Sequence, residues 1–186
     1  MNAELVRSLL EKHIPFDEKE KSHLRDIISL LDAGDDAWSR EHYGPGHLTA
    51  SAFVVEASTR TVALIFHGKL KRWLQPGGHV ENEDSDILSA ARRELTEETG
   101  MNVSEDGWRL LDVDIHLIPQ RSNQPEHRHF DLRFALLLNE GIRPSIIGAD
   151  DAIEARWMPL QALKESGEAG LLRCFCKLEK QLFLSS

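Results

Sequence analysis

The amino-acid sequence predicts an α/β fold in which a mixed β-sheet lies between layers of helices, preceded by an N-terminal helical extension. Strand-like and helical segments are interspersed after residue 46, a pattern typical of an α/β/α sandwich. The break Gly44-Pro45-Gly46 separates these segments from a helical N-terminal part. We therefore divide the chain into residues 1–45, the extension, and residues 46–186, the main domain. The length of 186 residues suits one domain plus such an extension.

The extension is predicted to contain two helices, at residues 2–13 and 17–33, and a short helical turn at 38–43. In the second helix, apolar residues recur at helical spacing, and Pro15 and an acidic first turn mark its start. Residues 1–43 contain no recognisable chemical motif. We interpret them as a helical cap or a dimer element, and the chain is compatible with a homodimer.

The main domain opens with two β-rich runs, 48–56 and 61–67, whose short connection predicts a hairpin. Residues 73–75 predict a short strand that leads into Pro76-Gly77-Gly78. A helix is predicted at 87–99, with Asp84 or Ser85 as its N-cap. The remaining predicted elements are strands at 109–118, 129–138 and 155–160, a helix entered directly from the last strand, and a C-terminal helix at 171–184.

Three carboxylates lie within five residues near the end of the predicted helix 87–99. Glu94, Glu97 and Glu98 stand at i, i+3 and i+4, so one helix face carries all three. Because the C-terminal end of a helix is partly negative, an acid there costs about 0.3–1 kcal/mol. Glu98 also falls within the apolar arc, where an unpaired carboxylate is expensive. A divalent cation would reverse these terms, and Mg²⁺ binds both carboxylates and substrate phosphates.

The residues around these acids resemble the Nudix box, in the run Gly78…Arg93-Glu94-Leu95-Thr96-Glu97-Glu98-Thr99-Gly100-Met101. The family pattern is G, five residues, E, seven residues, R-E-U-x-E-E-x-G-U, where U is bulky and apolar. The second half matches at every fixed position. In the first half, Asp84 stands in place of Glu, and the interval from Gly78 to Arg93 is one residue longer than the pattern. We expect residues 81–86 to accommodate the additional residue and the helix register to remain intact.

The resemblance covers roughly residues 47–165 and implies a Nudix-like α/β/α sandwich with pyrophosphohydrolase activity. Such an enzyme cleaves a phosphoanhydride in a substrate of the nucleoside diphosphate-X type by attack of water on phosphorus. Glu94, Glu97 and Glu98 would hold Mg²⁺ or Mn²⁺, and Arg93 would orient a box carboxylate. The expected catalytic residues are Glu94, Glu98 and Arg93. Either glutamate leads as the general base, and acids on later segments are alternatives for the base or an extra ligand: Glu140, Asp150, Asp151 and Glu154.

A second group of residues predicts substrate contacts. Gly77 and Gly78 allow close backbone approach beside the carboxylates, and His79 follows them. Polar residues alternate along two predicted strands, so each row shares one strand face: Asp112, Asp114 and His116, then His127, His129, Asp131 and Arg133. A solvent-facing sheet is the ordinary interpretation. The alternative is a pocket wall in which the residues that contact phosphate, or hold a second metal, are His79, His116, His129 and Arg133. In that case we predict that the first three approach one another.

Composition limits the partners and the location of the protein. A net charge of −9 argues against a nucleic-acid polymer, whereas a small phosphorylated metabolite remains compatible because a metal neutralises phosphate locally. We find no apolar run long enough to span a membrane and no signal peptide, and we interpret Cys174 and Cys176 as reduced thiols. These features predict a cytoplasmic enzyme.

Two alternative functions stay open. A diphosphate-binding isomerase on the same fold would need a cysteine or acid near the box, and both cysteines lie far downstream. A non-catalytic nucleotide-sensing module would usually carry a DNA-binding domain or a degraded box. Here the acids of the box are intact and the N-terminal segment is acidic.

Overall fold

The computed structural model describes residues 2–34, 36–120, 124–138, 144–148 and 152–184, apart from the side chain of residue 184. The helices are α1 (Ala3–Glu11), α2 (Glu18–Asp32), α3 (Ile87–Thr99), α4 (Gln161–Glu165) and α5 (Ala169–Leu184). The strands are β1 (His47–Glu56), β2 (Thr61–His67), β3 (Arg72–Leu74), β4 (Gly77–His79), β5 (Arg109–Ile118), β6 (His127–Leu138) and β7 (Ala152–Pro159). No helix in these described ranges is both long and apolar enough to cross a membrane.

The strands form one mixed sheet whose main path runs β3-β2-β1-β6-β5. Strands β1 and β2 form the predicted antiparallel hairpin, β5 and β6 also pair antiparallel, and β1 runs parallel to β6. Strand β4 pairs with the N-terminal half of β1, and β7 pairs with β2. The short strand β4 therefore lies beside the first half of β1, and α3 packs against both strands.

Helices cover both faces of the sheet, which confirms the predicted α/β/α sandwich. Alternate residues of β1 enter different cores, with Ala52 on one face and Phe53 on the other. The first core also receives apolar residues of α1, α2 and α3, and the second receives those of α4 and α5. The N-terminal helices thus pack as a cap on the main domain. Their role as a dimer element and the division at residue 45 stay predictions.

Helix α2 also covers β5, the strand at one edge of the sheet. The backbone N–H of Val113 donates to Glu20 at 3.3 Å, and that of Ile115 donates to His23 at 3.2 Å. Side chains of the extension thereby satisfy backbone groups that would otherwise invite pairing with another chain.

The structure corrects several predicted boundaries. Helix α3 is capped by Asp86, not by Asp84 or Ser85: its side chain accepts from the backbone N–H of Ser89 at 2.7 Å. The reason is that the carboxylate of Asp84 is already bound elsewhere, as described below. The glycine run forms strand β4, which was not predicted, and residues 38–43 contain turns but no helix. Strand β7 begins at Ala152, three residues before its predicted start.

Candidate active site

Helix α3 directs its carboxylates toward strand β4. Glu98 is buried, with 6% of its surface exposed, as its place in the apolar arc predicted. The backbone N–H of Gly77 donates to Glu98 Oε2 at 2.9 Å. At the end of the helix, Gly100 takes a left-handed conformation with φ of 66°, which a residue without Cβ adopts at little cost.

Glu94 lies directly against Gly78, the residue that follows Gly77 in β4. A Cβ atom at position 78 would lie 2.6 Å from Glu94 Oε1, so a larger residue there would displace the carboxylate. The pairing of β4 with β1 places Gly78 opposite Ala50 and Gly77 opposite Ser51. Glu94 and Glu98 therefore face two consecutive glycines from the same side of the helix, which is the helix register that the sequence predicted.

Arg93 binds the loop and the helix together. Its Nη1 donates to Glu94 Oε1 and Glu97 Oε2, each at 3.0 Å, and its Nη2 donates to the carbonyl oxygen of His79 at 2.8 Å. The same guanidinium forms a two-point ion pair with Asp84. The longer interval between Gly78 and Arg93 thus leaves Arg93 in contact with the loop and with Glu94 and Glu97.

The electrostatics of this group favour a bound cation. Burial raises the pKa of Glu94, and Glu97 and Glu81 raise it further, whereas Arg93 lowers it. Burial alone would lower the pKa of Arg93, but Asp84 and Glu94 hold it above its ordinary value. A raised carboxylate pKa means that negative charge at this position is disfavoured, and a divalent cation would remove that penalty. The oxygen donors of Glu94, Glu97 and Glu98 suit Mg²⁺ or Mn²⁺.

A cleft of about 770 Å³ opens beside these carboxylates. All three box glutamates line it, together with Gly77, Gly78 and His79. His116, His127 and His129 also line it, as do the cationic side chains of Arg40 and Lys69. Its volume is in the range of small-molecule sites, and its walls offer acids, imidazoles and two cations.

The predicted approach of three histidines is observed. The ring of His129 lies 5.1 Å from that of His79 and 5.4 Å from that of His116, centre to centre. Two further rings join them: His47 lies 4.8 Å from His129, and His127 lies 5.1 Å from His47. His47 was missed because its neighbour His129 lies on a strand about 80 residues away, and only the parallel pairing of β1 with β6 brings them together.

Burial disfavours the charged form of three of these imidazoles, those of His47, His79 and His129. Burial lowers the pKa of His47 to about 4, and His127 acts in the same direction. Burial likewise lowers the pKa of His79 to about 4, helped by the charge of His47. For His129, burial and then the adjacent histidines lower the pKa to about 2. In a neutral ring one nitrogen donates a hydrogen bond, and the other can accept one or bind a metal ion.

The structure contradicts the expected exposure of Arg133 to substrate. Only 4% of its surface is exposed, and its guanidinium contacts Asp131 at 3.0 Å and Asp114 at 2.9 Å. Helix α5 covers this part of the sheet with Arg173 and Lys177. The alternating rows are thus neither a solvent face nor a single pocket wall: their histidine ends line the cleft and their other ends are buried. We do not retain Arg133 as a phosphate contact.

The alternative acids on later segments receive no support. Glu154 forms an ion pair with Arg156 and does not line the cleft. Glu140, Asp150 and Asp151 lie outside the described residues.

Comparisons with known proteins identify the family. The NUDIX domain family matches residues 45–177. A relative from Lactococcus lactis subsp. cremoris (strain MG1363), named probable DHNTP pyrophosphohydrolase, is 34% identical over 142 residues, which are 75% of this chain and 81% of that protein.

Solved structures share the fold. The NUDIX domain of Shewanella oneidensis NrtR in complex with ADP ribose superposes with a TM-score of 0.53 at 18% identity, over 73% of this chain and 87% of that one. The E. coli dihydroneopterin triphosphate pyrophosphohydrolase superposes with a TM-score of 0.53 at 16% identity, over 68% of this chain and 91% of that one. The family match and the Lactococcus relative together decide the assignment: this chain belongs to the Nudix family and is a Nudix-type pyrophosphohydrolase.

Proposed function

We propose that this enzyme hydrolyses a phosphoanhydride in a small phosphorylated metabolite of the nucleoside diphosphate-X type, and that it requires Mg²⁺ or Mn²⁺. The observation that carries the proposal is the placement of Glu94 and Glu98 against the two glycines of β4, at one wall of the cleft. Three acids at the C-terminal end of a helix repel one another and are disfavoured by the helix dipole. Their placement there therefore indicates a bound cation.

Glu94, Glu97 and Glu98 are the proposed metal ligands. When bound, the ion would neutralise phosphate charge and lower the pKa of a water molecule. The protein's own contribution is to fix the carboxylates before substrate arrives. Arg93 holds Glu94 and Glu97, and the N–H of Gly77 holds one oxygen of Glu98. Preorganised groups need no rearrangement during the reaction, which is where most electrostatic catalysis arises.

A carboxylate of the box accepts the proton of the attacking water. Glu94 and Glu98 both reach the cleft. Either of them can serve as the general base, because both lie where the substrate would bind.

The histidines and cations that line the cleft support binding of the phosphate chain and of the group X. His79, His116 and His129 can each donate one hydrogen bond to a phosphate oxygen, and Arg40 and Lys69 add positive charge at the rim. The Lactococcus relative is named for DHNTP, so dihydroneopterin triphosphate belongs among the candidate substrates. The other candidates are ADP-ribose, nucleotide sugars, dinucleoside polyphosphates and oxidised nucleotides.

A substrate panel tests this proposal. Each compound is incubated with Mg²⁺, and the products are identified as monophosphate, diphosphate or orthophosphate. We expect cleavage of at least one compound, and loss of that cleavage in EDTA and in Glu98→Gln. Binding of nucleotides without turnover would instead favour the sensing module. Conversion of a diphosphate without release of phosphate would favour the isomerase.

A further inference from the structure

Three histidines converge beside the cleft without using any box carboxylate. One ring nitrogen each from His47, His127 and His129 lies within 4.8 Å of the other two. His47 and His127 are buried, and His129 is partly exposed toward the cleft. Among the residues described by the structure, no other group of three histidine, cysteine or acidic side chains is arranged in this way.

The hydrogen bonds of two of these rings fix their tautomers. His127 Nδ1 lies 2.8 Å from the carbonyl oxygen of Pro125, and His47 Nδ1 lies 3.4 Å from that of His42. A carbonyl oxygen can only accept, so in each ring Nδ1 carries the hydrogen. In a neutral imidazole the other nitrogen, Nε2, is then a bare lone pair. Histidines that bind metals are usually held in this way, with the second nitrogen donating to a backbone carbonyl.

The Nε2 atom of His47 gives a second, independent indication of a ligand. This atom is buried and has no hydrogen-bond partner among the residues that the structure describes. A buried polar atom without a partner costs about 1–3 kcal/mol, and most such atoms in native proteins are satisfied. A cation bound inside the cluster would satisfy it.

One pair of ring nitrogens already has the spacing of metal ligands. His127 Nε2 and His129 Nε2 are 3.3 Å apart. Two nitrogen atoms bound at about 2.0–2.1 Å to one tetrahedral zinc ion lie about 3.3–3.4 Å from each other. The observed separation therefore needs little adjustment to accommodate such an ion.

We propose that His47, His127 and His129 form a binding site for a borderline-soft divalent cation such as Zn²⁺, separate from the carboxylate site on α3. Imidazole nitrogens favour zinc and its neighbours in the first transition row, whereas Mg²⁺ selects oxygen ligands. Three protein ligands leave the fourth tetrahedral position open, and two of them, His127 and His129, line the cleft.

The two sites lie on adjoining walls. His79 follows Gly78, against which Glu94 packs, and its ring lies 5.0 Å from that of His47. If the proposed function holds, the open position of the imidazole site would receive a phosphate oxygen of the substrate. This consequence rests on the proposed function, whereas the metal site itself does not.

Metal binding by the isolated protein tests the site without any substrate. The full chain, without a histidine tag, is stripped with a chelator and titrated with Zn²⁺ by calorimetry and with Co²⁺ by visible absorption. We expect one equivalent of Zn²⁺, not displaced by excess Mg²⁺, and the absorption bands of tetrahedral Co²⁺. His127→Gln and His129→Gln should each weaken Zn²⁺ binding by at least about tenfold. His47 is fully buried, and replacing it risks unfolding the protein. The test therefore relies on His127 and His129.

Two control variants separate this site from others. His67→Gln removes a histidine that lines the same cleft outside the cluster and should bind Zn²⁺ like the wild type. The double variant Glu94→Gln/Glu98→Gln should also retain it. The proposal is overturned if the wild-type protein binds no Zn²⁺, or if both histidine variants bind it as tightly as the wild type. Loss of Zn²⁺ in the glutamate variant would equally overturn it, because the ion would then sit at α3.

Discussion

Asp84 and Arg93 form a two-point ion pair that joins the loop before α3 to the helix itself. Asp84 Oδ1 accepts from Arg93 Nε, and Asp84 Oδ2 accepts from Arg93 Nη2, both at 3.0 Å. Asp84 Oδ2 also accepts the backbone N–H of Glu81 at 2.8 Å. Asp84 stands where the family pattern has glutamate, and in this chain it anchors the loop despite the additional residue.

Replacing Asp84 should destabilise the protein. In Asp84→Ala the half-buried guanidinium of Arg93 loses two charge-assisted hydrogen bonds, so we expect the free energy of unfolding to fall by about 1.5–3 kcal/mol. Urea denaturation measures this change. The matched control is Glu83→Gln, an exposed acid of the same loop, which should remain within about 0.5 kcal/mol of the wild type. Equal stability of the two variants would show that Asp84 is not an anchor.

Much of the fold around α3 could be predicted from local pattern. The spacing of apolar residues gave the inward direction of Glu98, and the glycines predicted a close approach of backbone and carboxylate. The cap at Asp86 was missed in favour of Asp84 or Ser85, because the local pattern does not show that Arg93 binds the carboxylate of Asp84. That contact joins residues nine positions apart and is invisible to helix-capping rules.

Gly78 tests the role of the glycine run. In Gly78→Ala the new Cβ would lie 2.6 Å from Glu94 Oε1, and the flexible carboxylate would move away. We therefore expect turnover to fall by at least about tenfold, because a displacement of about 1 Å at a reacting group can cost more than that. Thermal unfolding should change little, since no backbone atom is among the three nearest contacts. Unchanged turnover would mean that the position of Glu94 is not critical.

The buried ion network under α5 was only partly predicted. Alternation placed Asp112 and Asp114 on one strand face, but it could not indicate that Arg173 and Lys177 of a distant helix would cover them. An exposed polar row and a buried charged row have the same sequence pattern, and the difference lies in tertiary packing. The same limit explains why Arg133 was predicted as a substrate contact.

Lys177 provides the corresponding test of stability. Its ammonium contacts Glu20 and lies 2.8 Å from Asp112, and both carboxylates are buried. Lys177→Met leaves them without this cation, and breaking a buried pair in this way costs about 3–5 kcal/mol. Urea denaturation should show that loss, whereas Lys180→Met, on the exposed side of the same helix, should be neutral. A neutral Lys177 variant would contradict the assignment of a buried network.

Two histidines beside the cleft, His47 and His79, predict a pH dependence of stability. The pKa values of His47 and His79 are lowered to about 4 in the folded protein, below the ordinary value of 6.5. At pH values between these two pKa values, the unfolded chain binds more protons than the folded protein does. The free energy of unfolding therefore falls as the pH is lowered through this range. Glu20 and Asp114 also have lowered pKa values, but their contribution is lost only below the ordinary carboxylate range.

We therefore expect stability to decrease from about pH 6.5 toward pH 4.5, by at most about 1.4 kcal/mol per pH unit for each histidine. Urea denaturation in EDTA measures the slope without bound metal. His79→Gln should reduce the slope, because it removes one of the titrating rings. An identical slope in the variant would show that His79 does not contribute.

The central claim is that the carboxylates of α3 hold the divalent cation on which hydrolysis depends. The most direct measurement is the rate of cleavage of the best panel substrate as a function of Mg²⁺ concentration, for the wild type, Glu98→Gln and the control Glu83→Gln. We expect no turnover in EDTA, saturable activation by Mg²⁺ in the wild type and control, and a rate at least about a hundredfold lower in Glu98→Gln, with its fold intact. Turnover in EDTA, or wild-type rates in Glu98→Gln, would contradict it.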